Sequence, residues 1–178
     1  SRGDSTLRGH YPLETELLAR AEEMHRGRAV DGEIICPYFK EGGRFTIGNV
    51  HYVKYGNELI PAGETEFAED KTFGYHCSNL KEYVEEKTGG RYPAHEVLDV
   101  SLEELRSLDY AAITNKLLAL HDFGKIVVNA VDACDLKVFC IALYDAMNQG
   151  RRFMFRTAAG FVKEFGAIRE RPLLSREE

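Results

Sequence analysis

The stretch Asp4-Ser5-Thr6-Leu7-Arg8-Gly9-His10 carries the densest chemistry in the sequence. Asp4 can accept hydrogen bonds from ligand hydroxyls, and Ser5 and Thr6 can donate them. Arg8 offers a planar fork that matches a carboxylate or a phosphate. Backbone N–H groups near a helix start favour an anion as well. The plainer reading is a polar turn whose Asp4 and Ser5 cap the helix that follows.

Other candidates are spread along the chain. Arg156 and Thr157 are expected to follow a strand and open a helix, where an Arg can clamp a carboxylate. An ion pair with Asp132 or another acid would use the same charge. Asn129 and Asp132 follow an apolar run and could face a ligand or cap the next helix. Gly42-Gly43-Arg44 resembles a phosphate-cradling nest, although two glycines in a hairpin turn are common. Glu64 and Glu66 form a carboxylate pair or a solvated loop. The six His, at 10, 25, 51, 76, 95 and 121, show neither H-x-x-x-H nor H-E-x-x-H, so no metal site is expected. The sequence contains no G-x-x-x-x-G-K-[ST], G-x-G-x-x-G or G-x-S-x-G word, so nothing points to ATP or NAD bound by this chain itself.

These residues need a scaffold, and the pattern supplies one. Pro12 is expected at the first helical position, followed by a helical stripe of Leu13, Leu17, Leu18, Ala21 and Met24 that Gly27 can end. Glu33–Cys36 reads as a buried strand. Residues 44–60 alternate in the manner of a β-hairpin or small meander. Residues 61–77 read as an irregular loop, ordered by Phe67, Phe73 and Tyr75. A helix is expected over Ser78–Lys87 and a strand over Glu96–Val100. Ser101 and Glu104 make a capping box for the next helix, and another helix covers Ala111–Leu120. Lys125–Ala130 is a strong strand, and Asp132 or Asp135 caps a helix running to Asn148. Arg152–Phe155 is a strand, Thr157 opens a helix to Phe165, and a polar tail follows from Arg169. The fold class is therefore α/β, a mostly parallel sheet with flanking helices in a Rossmann-like three-layer arrangement. In such sheets ligands bind beyond the C-terminal ends of the strands.

Composition sets the bounds. A length of 178 residues suits one domain. The apolar runs are too short to span a bilayer, and no secretory signal pattern opens the chain. A net charge of −6 argues against nucleic acid or an anionic membrane as partner. The four Cys, at 36, 77, 134 and 140, form no C-x-x-C pair. Cys36 and Cys140 sit in apolar runs, and a reduced, cytoplasmic protein is expected. The chain opens on Ser1 rather than Met.

Several words then match a known family. The run Ser1-Arg2-Gly3-Asp4-Ser5-Thr6-Leu7-Arg8-Gly9-His10-Tyr11-Pro12-Leu13-Glu14 resembles a signature segment of the four-carbon acid sugar kinases. Gly42-Gly43-Arg44-Phe45-Thr46-Ile47, Asn49-Val50-His51-Tyr52 and Pro61-Ala62-Gly63-Glu64-Thr65-Glu66-Phe67 fit as well. So do Lys71-Thr72-Phe73-Gly74-Tyr75, Val128-Asn129-Ala130 and Phe155-Arg156-Thr157-Ala158-Ala159.

The resemblance implies ATP-dependent phosphorylation of a tetronate (3-oxo-tetronate, threonate or erythronate) by a two-domain parent. Residues 1–178 would be an incomplete N-terminal substrate-binding domain. The first strand–helix unit, with its Asp-Asp-Phe-Thr-Gly word, and the C-terminal nucleotide-binding domain would be absent. Arg8 would hold the substrate carboxylate, while Asp4 and Ser5 orient hydroxyls beside Gly9 and His10. Arg44 and Arg156 would be secondary anion sites, with Asn129 and Thr157 completing the substrate-binding set. The catalytic base would come from the missing parts. ATP and Mg²⁺ belong to the parent, with neither expected on this chain, and the chain alone would have no kinase activity. Its partners would be the sugar acid, the nucleotide-binding domain and a second copy docked on the exposed sheet. The alternative is a non-catalytic α/β module binding a small acid or a protein.

Overall fold

A computed structural model describes residues 4–169. The expected tail with Pro172-Leu173-Leu174, and Ser1-Arg2-Gly3 of the opening segment, lie outside the described residues.

Helix α1 spans Leu13–Arg26, one residue later than expected because Pro12 takes the N-cap position, and closes on Gly27, whose φ of 66° lies in the left-handed region. Its apolar stripe keeps the expected period but faces outward. Met24 is 87% exposed, Leu13 55% and Leu17 54%. The inward side is polar: Thr15 is buried, Glu16 pairs with Arg91 at 2.6 Å and Glu22 with Arg152 at 2.8 Å. Strand β1 (Gly32–Cys36) is buried throughout. Strands β2 (Arg44–Ile47), β3 (Val50–Tyr55) and β4 (Glu58–Pro61) form the expected meander as a three-stranded antiparallel sheet.

Helix α2 (Leu80–Lys87) starts two residues later than expected, because the Asn79 side chain caps it by accepting from the Lys81 N–H. Strand β5 (Leu98–Val100) is shorter than expected, since Glu96 is held in a turn by its bond to the Pro93 carbonyl. Helix α3 (Leu102–Arg106) begins on the Ser101–Glu104 capping box, and α4 (Tyr110–Ala119) begins on Asp109. Strand β6 (Gly124–Val128) ends before Ala130, whose backbone bridges Thr46 of the meander instead. Helix α5 (Ala133–Asn148) uses both predicted acids: Asp132 caps it and Asp135 completes the box.

Strand β7 (Phe153–Thr157) runs further than the sequence suggested, so Arg156 and Thr157 lie inside the strand rather than after it. The reason is register: Arg156 pairs with Ile35 and Thr157 with Cys36, which extends the ladder along all of β1. Helix α6 (Ala159–Phe165) therefore starts two residues later than Thr157.

The main sheet has the order β5-β6-β1-β7, with every pairing parallel. Alternation sends Ile34, Cys36, Ile126 and Val128 into a core shared with α3 to α6. Ile35 and Val127 point to the opposite face, among Leu7, Tyr11, Tyr75, Leu80, Tyr83 and Val84. Both faces are thus covered, as a parallel sheet requires. The fold is α/β with a parallel sheet between two covering layers, and the meander joins the second layer. Among the described residues no helix is long and apolar enough to cross a membrane. All four cysteines are free thiols, with Cys36 and Cys140 buried in the core.

Candidate functional site

The opening loop runs across the second layer, and its backbone is held from below. The Ser5 carbonyl accepts from His51 Nε2 at 2.8 Å and the Thr6 carbonyl from the Tyr75 hydroxyl at 2.8 Å. The Leu7 carbonyl accepts from the Tyr83 hydroxyl at 2.8 Å and the Arg8 carbonyl from Arg156 Nη2 at 2.9 Å. Four successive carbonyls thus meet four buried donors, drawn from β3, the segment between β4 and α2, α2 and β7. Leu7 is itself buried with φ at 67°, a conformation costly for a branched side chain, and these bonds hold it there.

His51 is fully buried and its ring is spent on both sides. A carbonyl only accepts, so Nε2 carries the proton that goes to Ser5, and Nδ1 accepts from Thr46 Oγ1 at 3.0 Å. Burial pushes the imidazole down to about 4, against which the bond to Ser5 works only in part. His51 is therefore neutral at pH 7.

Above this loop lies a shallow cavity of about 350 Å³ lined by Asp4, Arg8, Gly9, His10, Glu14, Asp70 and Phe73. Arg8 is its central cation. Its Nε lies 2.8 Å from Asp4 Oδ2 and 3.1 Å from Thr6 Oγ1, and its Nη1 lies 3.8 Å from Asp70 Oδ2. Its guanidinium also stacks over Phe67, 5.1 Å from the ring centre. Partial burial pushes the Asp4 carboxyl up, but bonds from Thr6 and the charge of Arg8 outweigh it and leave it below its ordinary value. Bonds from the Phe73 and Thr72 amides lower Asp70. Both acids are ionised at neutral pH and can accept from hydroxyls, while Arg8 can pair with an anion. His10 is exposed and meets Phe73 edge-on at 4.8 Å.

The sequence-predicted residues divide into groups. Asp4, Arg8, Gly9 and His10 share the cavity, and Ser5 belongs to the same loop. Arg44 stands beside it, 5.4 Å from the centre of the same Phe67 ring, with a buried Nε that no described residue accepts from. Arg156 lies beneath, bonded to the Arg8 carbonyl and 3.6 Å from Glu14. Its acid is therefore Glu14 rather than Asp132, which pairs with Lys40 at 2.6 Å. Thr157 is buried in β7 opposite Cys36.

Asn129 stands apart from the cavity. Its amide bonds Asn49 and the Val100 carbonyl, fastening the meander's turn to the main sheet. Residue types give no sign of Asp70 or Glu14 as cavity walls, or of His51, Tyr75 and Tyr83 as supports. In the sequence, Phe73 and Tyr75 signal only that the loop is ordered. Two larger cavities, of about 390 and 560 Å³, lie around Arg91 and Tyr92 by the N-terminal ends of β1 and β6. They contain none of the predicted site residues.

Comparison with known proteins adds a second kind of observation. A family model described as a sugar-binding N-terminal domain matches residues 1–165. No curated protein matches the chain. Solved structures also share the fold, among them the following three. Haemophilus influenzae protein HI1011, of the DUF1537 family, is 15% identical over 93% of this chain and 36% of its own, with a TM-score of 0.64. A provisionally named tRNA synthase from Salmonella typhimurium LT2 is 17% identical over 93% of this chain and 36% of its own, at TM-score 0.65. A DUF1537 domain of unknown function from Bordetella bronchiseptica, solved with bound citrate as a domain-swapped dimer, is 22% identical over 90% of this chain and 34% of its own, at TM-score 0.61. The chain thus spans about a third of the length of each solved structure.

Proposed function

Since this chain belongs to the family of sugar-binding N-terminal domains, we propose that it holds a small sugar acid in the cavity of Asp4, Arg8, Gly9 and His10. The observation that carries the proposal is the pairing of opposite chemistries within one cavity: Arg8 for an anion, Asp4 and Asp70 for hydroxyls. A polyhydroxy carboxylate needs both. The citrate on the Bordetella neighbour supports a small carboxylate as the class. The specific reading is a four-carbon acid sugar, such as 3-oxo-tetronate, threonate or erythronate.

On this reading the chain is the substrate-binding portion of an ATP-dependent kinase, and phosphoryl transfer requires a second domain. Transfer depends on positioning both substrates and on neutralising the phosphates, usually with Mg²⁺. Among the described residues no three His, Cys, Asp or Glu side chains converge into a metal cluster, and the chemistry that ATP and Mg²⁺ supply is not placed on these residues. The proposal assigns both to a nucleotide-binding domain of a longer parent. ATP turnover with erythronate by the 178-residue chain alone would overturn that assignment.

A thermal-shift panel tests the binding. Ligand at about a hundredfold above its Kd stabilises by about 2.7 kcal/mol, which raises Tm by several degrees. Threonate or erythronate should do so, and Arg8→Ala should weaken the effect at least about tenfold in concentration. No shift with any four-carbon acid would refute the site. A second reading, a protein-interaction module, is favoured by one feature, the outward apolar stripe of α1.

A further inference from the structure

The four carbonyls of residues 5–8 turn toward buried donors, and this fixes where the intervening amides point. In a trans peptide the N–H lies opposite the carbonyl of the preceding residue. The amides of Thr6, Leu7, Arg8 and Gly9 therefore face away from His51, Tyr75, Tyr83 and Arg156. The first two are used locally: Thr6 donates to Asp4 Oδ1 at 2.9 Å and Leu7 to the Asp4 carbonyl at 3.1 Å. The Arg8 and Gly9 amides donate to no described residue, and both residues line the cavity. Gly9 holds a φ of 130°, which an L side chain rarely adopts.

We propose that the Arg8 and Gly9 backbone amides bind the carboxylate of the ligand, and that Tyr75, Tyr83, His51 and Arg156 are positioning residues that aim them. The inference rests on the proposed sugar-acid site and deepens it. Three acids line the cavity, Asp4, Asp70 and Glu14, and Asp4 already takes up Arg8 Nε. A carboxylate entering there gains from neutral donors that no acid already engages. Amides fixed before the ligand arrives lose no further backbone freedom on binding. The positioning residues reach the ligand only through the loop. The structural cost of the arrangement is one strained residue, Leu7, and four buried polar groups that must all be paired.

The test is a titration of the ¹⁵N-labelled chain with sodium erythronate, followed by amide chemical shifts. The Arg8 and Gly9 amide protons should move downfield and saturate together with the rest of the site. Tyr83→Phe keeps the ring against Tyr11 and Tyr75 but removes the donor to Leu7. It should raise the Kd about tenfold and shrink those two shifts. Tyr38→Phe removes a buried hydroxyl with no partner among the described residues, in the other core, and should leave the Kd unchanged. Erythronate binding with the two amides unmoved overturns the inference and leaves the sugar-acid site standing. A wild-type Kd in Tyr83→Phe does the same. Failure of the native chain to bind erythronate or threonate overturns both.

Discussion

His51 is neutral and wholly buried, and its imidazole holds the Ser5 carbonyl at the mouth of the proposed site. Its folded value of about 4 lies below the ordinary 6.5, so the unfolded chain binds a proton in this window that the folded chain does not. Stability contributed by the neutral ring is complete above about 6.5 and is lost as pH falls toward about 4. The loss should reach about 3 kcal/mol, at about 1.4 kcal/mol per pH unit. Asp4 and Asp70, lowered below their ordinary 3.8, add losses of the same sign at still lower pH. Urea unfolding measured from pH 7 to 4.5 should show the slope, and His51→Gln should flatten it by about one proton. A wild-type protein equally stable at both ends would refute the assignment. The same proton would break the Nδ1 acceptance from Thr46, so acid should loosen the loop that carries Arg8.

At the scale of elements, the middle of the sheet is pinned by one buried ion pair. Glu33 of β1 and Lys125 of β6 are register partners, and their charged atoms lie 2.8 Å apart with both side chains inaccessible. Phe123 and Tyr92 cover the ammonium, 3.5 and 4.3 Å from their ring centres. Burial lowers the Lys125 pKa, and the charge of Glu33 opposes it. Lys125→Met alone leaves a buried carboxylate uncompensated and should cost about 3–5 kcal/mol in urea unfolding. Adding Glu33→Leu should recover most of it, and a double variant as unstable as the single would refute this account.

Such a pair is illegible in sequence, because two charges 92 positions apart carry no local signal. What is local was readable. The Ser101–Glu104 and Asp132–Asp135 boxes start their helices as expected, and the 44–60 alternation yields the meander. The cavity residues Asp4, Arg8, Gly9 and His10 were legible because they adjoin in the chain. Their supports were not, since the Ser5–His51, Thr6–Tyr75, Leu7–Tyr83 and Arg8–Arg156 bonds span 46, 69, 76 and 148 positions. Periodicity gave α1 an apolar face but not its direction, which the ion pairs of Glu16 and Glu22 decide.

At the scale of the whole molecule, an open edge of the main sheet adjoins exposed apolar side chains. Strand β7 ends the order β5-β6-β1-β7, and no described strand pairs with its outer side. Helix α1 lies against it on one face, with Leu13, Leu17, Leu18 and Met24 outward. Helix α6 covers Phe155 on the other face and leaves Val162 exposed, with Ile168 beyond it. An open edge flanked by apolar side chains favours pairing with another strand or helix face. A second copy of the chain presents the same edge and the same stripe, so an isologous contact about a two-fold axis is available. The expected outcome is a concentration-dependent dimer, seen in light scattering as a mass rising from 20.1 kDa toward twice that value. Leu17→Glu with Met24→Lys adds charge to the stripe at positions already in water, so the fold should tolerate both changes. That variant should stay monomeric at concentrations where the native chain pairs. A native chain that keeps the monomer mass at the highest concentration measured would refute the dimer. Erythronate should bind the native chain and the variant equally, because the cavity residues lie outside the stripe.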